Sequence, residues 1–139
     1  MTAALVPELD VSDLEVSLAI YRDVFGFVVR YRREEERFAY LKRDGAELML
    51  EEAAGPGRRF HTAPLEAPFG RGMNLQIRVT DAADLLRRAR AADLRIVLDL
   101  EERWYRRDSK EVGLRQFVVA DPDGYLLRFC EDLGFRDRD

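Results

Sequence analysis

The sequence states one pattern twice. Leu9-Asp10-Val11-Ser12-Asp13 returns as Ile77-Arg78-Val79-Thr80-Asp81, 68 residues later. Each copy reads as the end of an alternating strand followed by a Ser/Thr-Asp helix cap. Arg43-Asp44-Gly45 before Glu47-Leu48-Met49-Leu50 returns 79 residues later as Pro122-Asp123-Gly124 before Leu126-Leu127-Arg128-Phe129. Asp-Gly between apolar alternations is a hairpin signal. A repeat of this kind means one supersecondary unit used twice, which removes most other architectures. The offset grows between the two matches, so the second copy carries an insertion, placed here around Trp104 to Glu111.

Between these anchors, Ser12 with Glu15 has the capping-box pattern, and Leu14, Leu18, Tyr21 and Phe25 follow at helical spacing. Leu85, Leu86, Ala89 and Ala92 repeat that helix in a shorter, more charged form. Each half therefore reads strand, helix, three strands. The first has strands near 5–11, 27–33, 37–42 and 46–51 and a helix near 13–24. The second has strands near 73–79, 95–100, 114–120 and 125–130 and a helix near 81–92. The fold class is α+β: two βαβββ modules in a single 139-residue domain. Module 1 covers about 1–52, module 2 about 73–132, and 133–139 form a short C-terminal tail. Between the modules, 53–72 hold three of the five prolines and four of the nine glycines, a linker long enough to act as a lid.

Composition narrows the function. The net charge of -4 argues against a nucleic-acid binder, whose affinity rests on surplus Lys and Arg. No apolar run approaches the roughly 20 residues that span a bilayer, and the N-terminus has no basic-then-apolar signal pattern, so no membrane partner is expected. Cys130 is the only cysteine, which leaves no internal disulfide and makes a cytoplasmic location the simplest expectation.

Period-two alternation sorts the strand residues into two faces. Leu9, Val11, Leu48, Leu50, Leu75, Ile77, Val79, Leu127 and Phe129 form an apolar set that belongs under the helices. Val6, Glu8, Asp10, Glu47, Met49, Glu51, Asn74, Gln76, Arg78, Leu126, Arg128 and Cys130 form a polar set with several carboxylates. Alternation alone leaves the second set either the solvated side of an antiparallel sheet or the lining of a cup.

Two βαβββ modules with this punctuation resemble the vicinal-oxygen-chelate superfamily of glyoxalases, extradiol dioxygenases and fosfomycin- and bleomycin-resistance proteins. Val11-Ser12-Asp13-Leu14-Glu15 with Ser17, Tyr21 and Gly26-Phe27, and Asp121-Pro122-Asp123-Gly124, carry that resemblance. Gly45 to Glu52, Glu101 to Arg106, Arg115-Gln116-Phe117 and Asp123 to Phe129 are similar to the bleomycin-resistance branch. The resemblance implies a curled mixed sheet whose polar face is a ligand cup, with the helices outside. It also implies a homodimer that shares the cup, with the N-terminal strand exchanged near Pro7.

Metal enzymes of that superfamily hold a divalent ion through four cup-facing side chains, and the corresponding positions here are Val6, Met49, Asn74 and Arg128. The repeat pairs Val6 with Asn74 and Met49 with Arg128 at the same two offsets. None is an ordinary ligand for a divalent metal, and Arg128 puts a fixed positive charge there. Neither a metal nor another cofactor is expected.

Other chemistry is sparse. His61, the only histidine, sits in the linker beside Phe60 and reads as a loop residue or a ligand contact. Cys130 reads as a buried inert thiol rather than a nucleophile, with no histidine near it in sequence. Asp121-Pro122-Asp123-Gly124 is explained by turn chemistry. Trp104, the only tryptophan, is either a stacking wall for a planar ligand, facing Tyr31 and Phe38, or a cap on the core or a dimer contact.

The resulting expectation is a metal-free protein that sequesters a bleomycin-like cationic glycopeptide by stoichiometric binding. In bleomycin-resistance proteins aromatic walls hold the drug's flat bithiazole and acidic residues meet its cationic tail. The expected ligand contacts are Tyr31, Phe38, Glu47, Met49, Glu51, Asn74, Gln76, Trp104 and Arg128, with no catalytic residue. The alternatives are a metal-free enzyme using Glu47 or Glu51 as general base, or a protein that binds a different small metabolite.

Overall fold

A computed structural model describes residues 1–138. Among them the strands are β1 (Glu8–Val11), β2 (Val28–Arg33), β3 (Phe38–Arg43), β4 (Ala46–Glu52), β5 (Asn74–Arg78), β6 (Ile96–Arg107), β7 (Lys110–Ala120) and β8 (Leu126–Asp137). The helices are α1 (Leu14–Ala19) and α2 (Ala82–Ala91). The chain is α+β, with two four-stranded mixed sheets ordered β1-β4-β3-β2 and β5-β8-β7-β6. In each the first strand in sequence, β1 or β5, runs parallel to its neighbour and the remaining pairs are antiparallel.

The repeat reappears as register. Glu8 pairs with Met49 in the first sheet and Gln76 with Arg128 in the second, displaced by the same two offsets as the sequence matches. Both helix starts are capped as the Ser/Thr-Asp pattern implies, but by the aspartate. Asp13 Oδ1 accepts from the Val16 amide at 3.2 Å and Asp81 Oδ1 from the Asp84 amide at 3.1 Å. The first helix closes with a π-helical turn over Ile20–Val24, which seats Tyr21 and Val24 in the core.

The protein divides into two compact units. The first comprises Met1–Gly72 and the Asp121–Tyr125 turn. Its core is Leu9, Val11, Leu14, Leu18, Tyr21, Phe25, Phe27, Leu41, Leu48 and Leu50, all buried. Tyr21 meets Phe25 edge-on at 5.2 Å. The second unit comprises Met73–Ala120 and Leu126–Asp139. There α2 lies on β6, β7 and β8, with Ile77, Leu85, Leu86, Ala89, Phe117, Leu127 and Phe129 buried. Of the nine apolar-face residues only Leu75 is merely half-buried.

The two units differ where the repeat breaks. The residues assigned to an insertion continue β6 and β7 as a long hairpin that turns at Asp108-Ser109. β8 runs alongside it to Asp137, through residues 133–137 that the sequence reading gives to a tail. Full pairing to a third strand is what stabilises so long a hairpin.

Candidate functional sites on the two sheets

On the first sheet, register puts Glu8, Met49, Tyr40 and Tyr31 in one cross-strand row, with Asp10, Glu51, Phe38 and Arg33 in the next. Tyr31 and Tyr40 stack with ring centres 5.1 Å apart and planes 15° apart. Phe38 lies 6.0 Å from Tyr31 and the Arg33 guanidinium 3.9 Å above Phe38. Phe38 and Tyr40 are buried beneath this cover, whereas Tyr31 is 45% exposed and offers the free aromatic surface.

Carboxylates surround the aromatics. Glu47 accepts from the Tyr40 hydroxyl at 2.7 Å and from Arg30 at 2.8 Å. The Tyr40 hydrogen bond, with Arg30 adding to it, holds the Glu47 carboxyl below its usual range. Glu51 is the opposite case. Burial raises it to about 7, with the hydrogen bond to Glu8 and the charges of Glu8 and Asp10 adding to the shift.

The linker supplies the countercharge. Arg59 is ion-paired with Glu51, donates to the Glu52 carbonyl and lies 3.8 Å from Asp10. His61 Nε2 is 2.9 Å from the other Asp10 oxygen. The linker is thus pinned across the acidic end of the face. Sequence reasoning gave no signal for Arg59. Tyr40, by contrast, follows from the parity of Phe38 on the same strand.

On the second sheet, a cavity of about 430 Å³ opens between β5, β8 and the long hairpin. Arg78, Arg107 and Arg128 line it, with Gln76, Tyr105, Val112, Leu114, Cys130, Asp132 and Phe135. Arg128 donates to the Gln76 side-chain oxygen at 2.6 Å. Burial pushes the Cys130 thiol up, and its sulfur lies 3.7 Å from the Ile77 carbonyl, so it is a protonated, inert group. Of the residues singled out from the sequence, Gln76 and Arg128 line this cavity, and Asn74 and Trp104 do not.

Trp104 sits on the opposite side of its strand from Tyr105. Its ring covers Gly113, where a Cβ would collide with the indole, and the Arg136 guanidinium lies 4.2 Å from the ring. Tyr105 donates no wall to Trp104; its hydroxyl instead accepts from the buried Gln116 amide at 2.7 Å. The strand extension that brings Arg107 and Phe135 to the cavity has no repeat counterpart, which is why the sequence reading missed both.

The four positions that correspond to metal ligands carry an alkyl group, a thioether, a carboxamide and a guanidinium: Val6, Met49, Asn74 and Arg128. That donor set does not fit a divalent cation. Among the described residues, no group of three or more His, Cys, Asp or Glu side chains is placed to hold a metal ion. No helix among them is long and apolar enough to cross a membrane.

Residues 6–129 match the model of the Glyoxalase/Bleomycin resistance protein/Dioxygenase superfamily. No curated protein sequence matches the chain. Among solved structures, the chain is similar to TioX from Micromonospora sp. ML1, at 25% identity and TM-score 0.73 over 93% of this chain and 98% of that one. It shares 42% identity, at TM-score 0.40, with a glyoxalase/bleomycin resistance protein/dioxygenase superfamily member from Vibrio splendidus 12B01, over 92% and 97% of the two chains. A protein of unknown function from Agrobacterium tumefaciens str. C58 matches at 22% identity and TM-score 0.70, over 96% of each.

Proposed function

The chain belongs to the Glyoxalase/Bleomycin resistance protein/Dioxygenase superfamily, and on that footing we propose that it binds a small molecule stoichiometrically, without a metal, and that the ligand is a cationic glycopeptide antibiotic of the bleomycin type. The observation that carries this reading is the stacked Tyr31–Tyr40 pair on a face that also holds Glu8, Asp10, Glu47 and Glu51. The half-exposed Tyr31 ring suits a flat heteroaromatic group. The acidic end, where Arg59 faces both Glu51 and Asp10, suits a cationic tail that displaces that guanidinium. The working unit in this proposal is a homodimer in the cytoplasm, with the N-terminal segment exchanged near Pro7.

The test is calorimetric titration of metal-free and copper-loaded bleomycin into the protein. Saturation near one drug per chain supports capture; no heat at high micromolar drug removes this ligand. Sedimentation tests the dimer, and a monomer at every concentration rules out strand exchange.

One observation favours a second reading, a metal-free enzyme. Glu51, held near 7 by burial, is a better general base than Glu47, which its Tyr40 and Arg30 partners keep ionised. A turnover screen decides between them: product formation that Glu51→Gln abolishes favours the enzyme.

A further inference from the structure

The cavity of the second sheet has the reverse polarity of the first sheet's face. Arg78, Arg107 and Arg128 stand against a single lining carboxylate, Asp132. One Asp132 oxygen is already engaged by the Gly134 amide at 2.8 Å. Among the described residues none of the three arginines is ion-paired with a carboxylate: Arg128 bonds neutral Gln76, and Arg107 lies over the Phe135 ring at 5.4 Å. The Arg128 Nε is buried without any hydrogen-bond partner. A buried guanidinium donor left unpaired in a pocket with surplus positive charge is a place where an anion gains both hydrogen bonds and Coulomb energy.

The remaining walls select the rest of the ligand. Tyr105 and Phe135 provide aromatic surface, with Val112 between them on the middle strand near the hairpin's turn and Leu114 two residues further along it. A cavity of about 430 Å³ is in the range that encloses a small organic molecule rather than a bare inorganic ion. The planar fork of a guanidinium matches a carboxylate in two parallel hydrogen bonds.

From this geometry we infer that the cavity binds an aryl carboxylate, with the carboxylate on Arg128 and Arg78 and the ring between Tyr105 and Phe135. Gln76 and Arg128 are also among the contacts expected for the glycopeptide, but this site does not rest on that reading: it lies wholly in the second unit and calls for the opposite ligand charge.

The experiment compares 2-naphthoate with its neutral isostere 2-naphthamide and with 2-naphthylmethylammonium, each titrated into the full chain by calorimetry. Naphthoate is expected to saturate at one per chain, to weaken as salt rises, and to bind at least about tenfold more tightly than the amide, with the ammonium silent. The double variant Arg78→Gln/Arg107→Gln changes two exposed side chains and keeps the fold. It should weaken naphthoate at least about tenfold and the uncharged amide, which loses a hydrogen bond but no ion pair, by much less. Equal affinity for acid and amide, wild-type affinity in the double variant, or no saturation with millimolar naphthoate would each overturn the assignment.

Discussion

The Tyr21 hydroxyl donates a buried 2.7 Å hydrogen bond to Asp121, a residue 100 positions further along the chain. Asp121 also accepts from the amides of Asp123 and Tyr125, at 2.8 and 3.0 Å. Burial raises its pKa, and these three donors oppose the shift. Asp123 accepts from the Ser12 amide, and the Tyr125 hydroxyl donates to the Asp10 carbonyl at 2.9 Å. The Asp121–Tyr125 turn is therefore satisfied by the first module's residues, although the repeat assigns it to the second. Tyr21→Phe deletes one donor to a buried carboxyl and should cost about 1–3 kcal/mol. Urea melts check this. A loss of a few tenths would mean that Asp121 finds a replacement donor.

The same turn explains a glycine. Gly70 donates to the Asp123 carbonyl at 3.0 Å, and a Cβ there would overlap the backbone of Gly124 and Tyr125. Backbone cannot swing aside as a side chain can, so Gly70→Ala should destabilise by about 1–3 kcal/mol. Gly45, with nothing within 4 Å of its Cβ position, is the control. Equal melting temperatures for Gly70→Ala and Gly45→Ala would refute the close-approach argument.

The contrast between Asp44 and Asp123 shows how far the sequence carries. Both sit in Asp-Gly turns at repeat positions, and alternation plus turn chemistry locates both hairpins. Yet Asp44 projects into solvent, whereas Asp123 is buried and caps Ser12. Local pattern fixes the element and its face because both depend on neighbours two to four residues away. It cannot tell which distant backbone a turn meets. The same limit governs the candidate sites. Glu47 and Glu51 share a face by parity alone, and cross-strand register brings Tyr31 and Phe38 to that face. Arg59 reaches that face only through the path of the linker, and Arg107 and Phe135 reach the cavity only because β8 continues beside the hairpin.

Trp104 is a case where two chemistries fit the sequence equally and the structure supplies a preference. Its ring is occupied on one side by Gly113 and approached by Arg136. Trp104→Ala should therefore loosen the hairpin, by about 1–3 kcal/mol, through lost packing and the lost cation–π contact. Its effect on drug titration should be small by comparison. A bleomycin affinity that collapses while the melting temperature holds would return Trp104 to the ligand wall.

Glu51 and Arg59 together set a pH signature. The folded chain holds the Glu51 proton to about pH 7, against an ordinary value of 4.5, because burial and the neighbouring Glu8 and Asp10 outweigh Arg59. Between those two values the native state binds more protons than the unfolded chain, so this group lowers stability as pH rises and the loss is complete above about 7. Glu51→Gln removes the titration. Its melting temperature should rise relative to wild type as pH is taken from 5 to 8, the two curves diverging across that window. Arg59→Gln should act in the other direction, pushing the Glu51 proton loss to higher pH by removing the charge that opposes it. Identical pH slopes in wild type and Glu51→Gln would show that the carboxyl is ionised throughout.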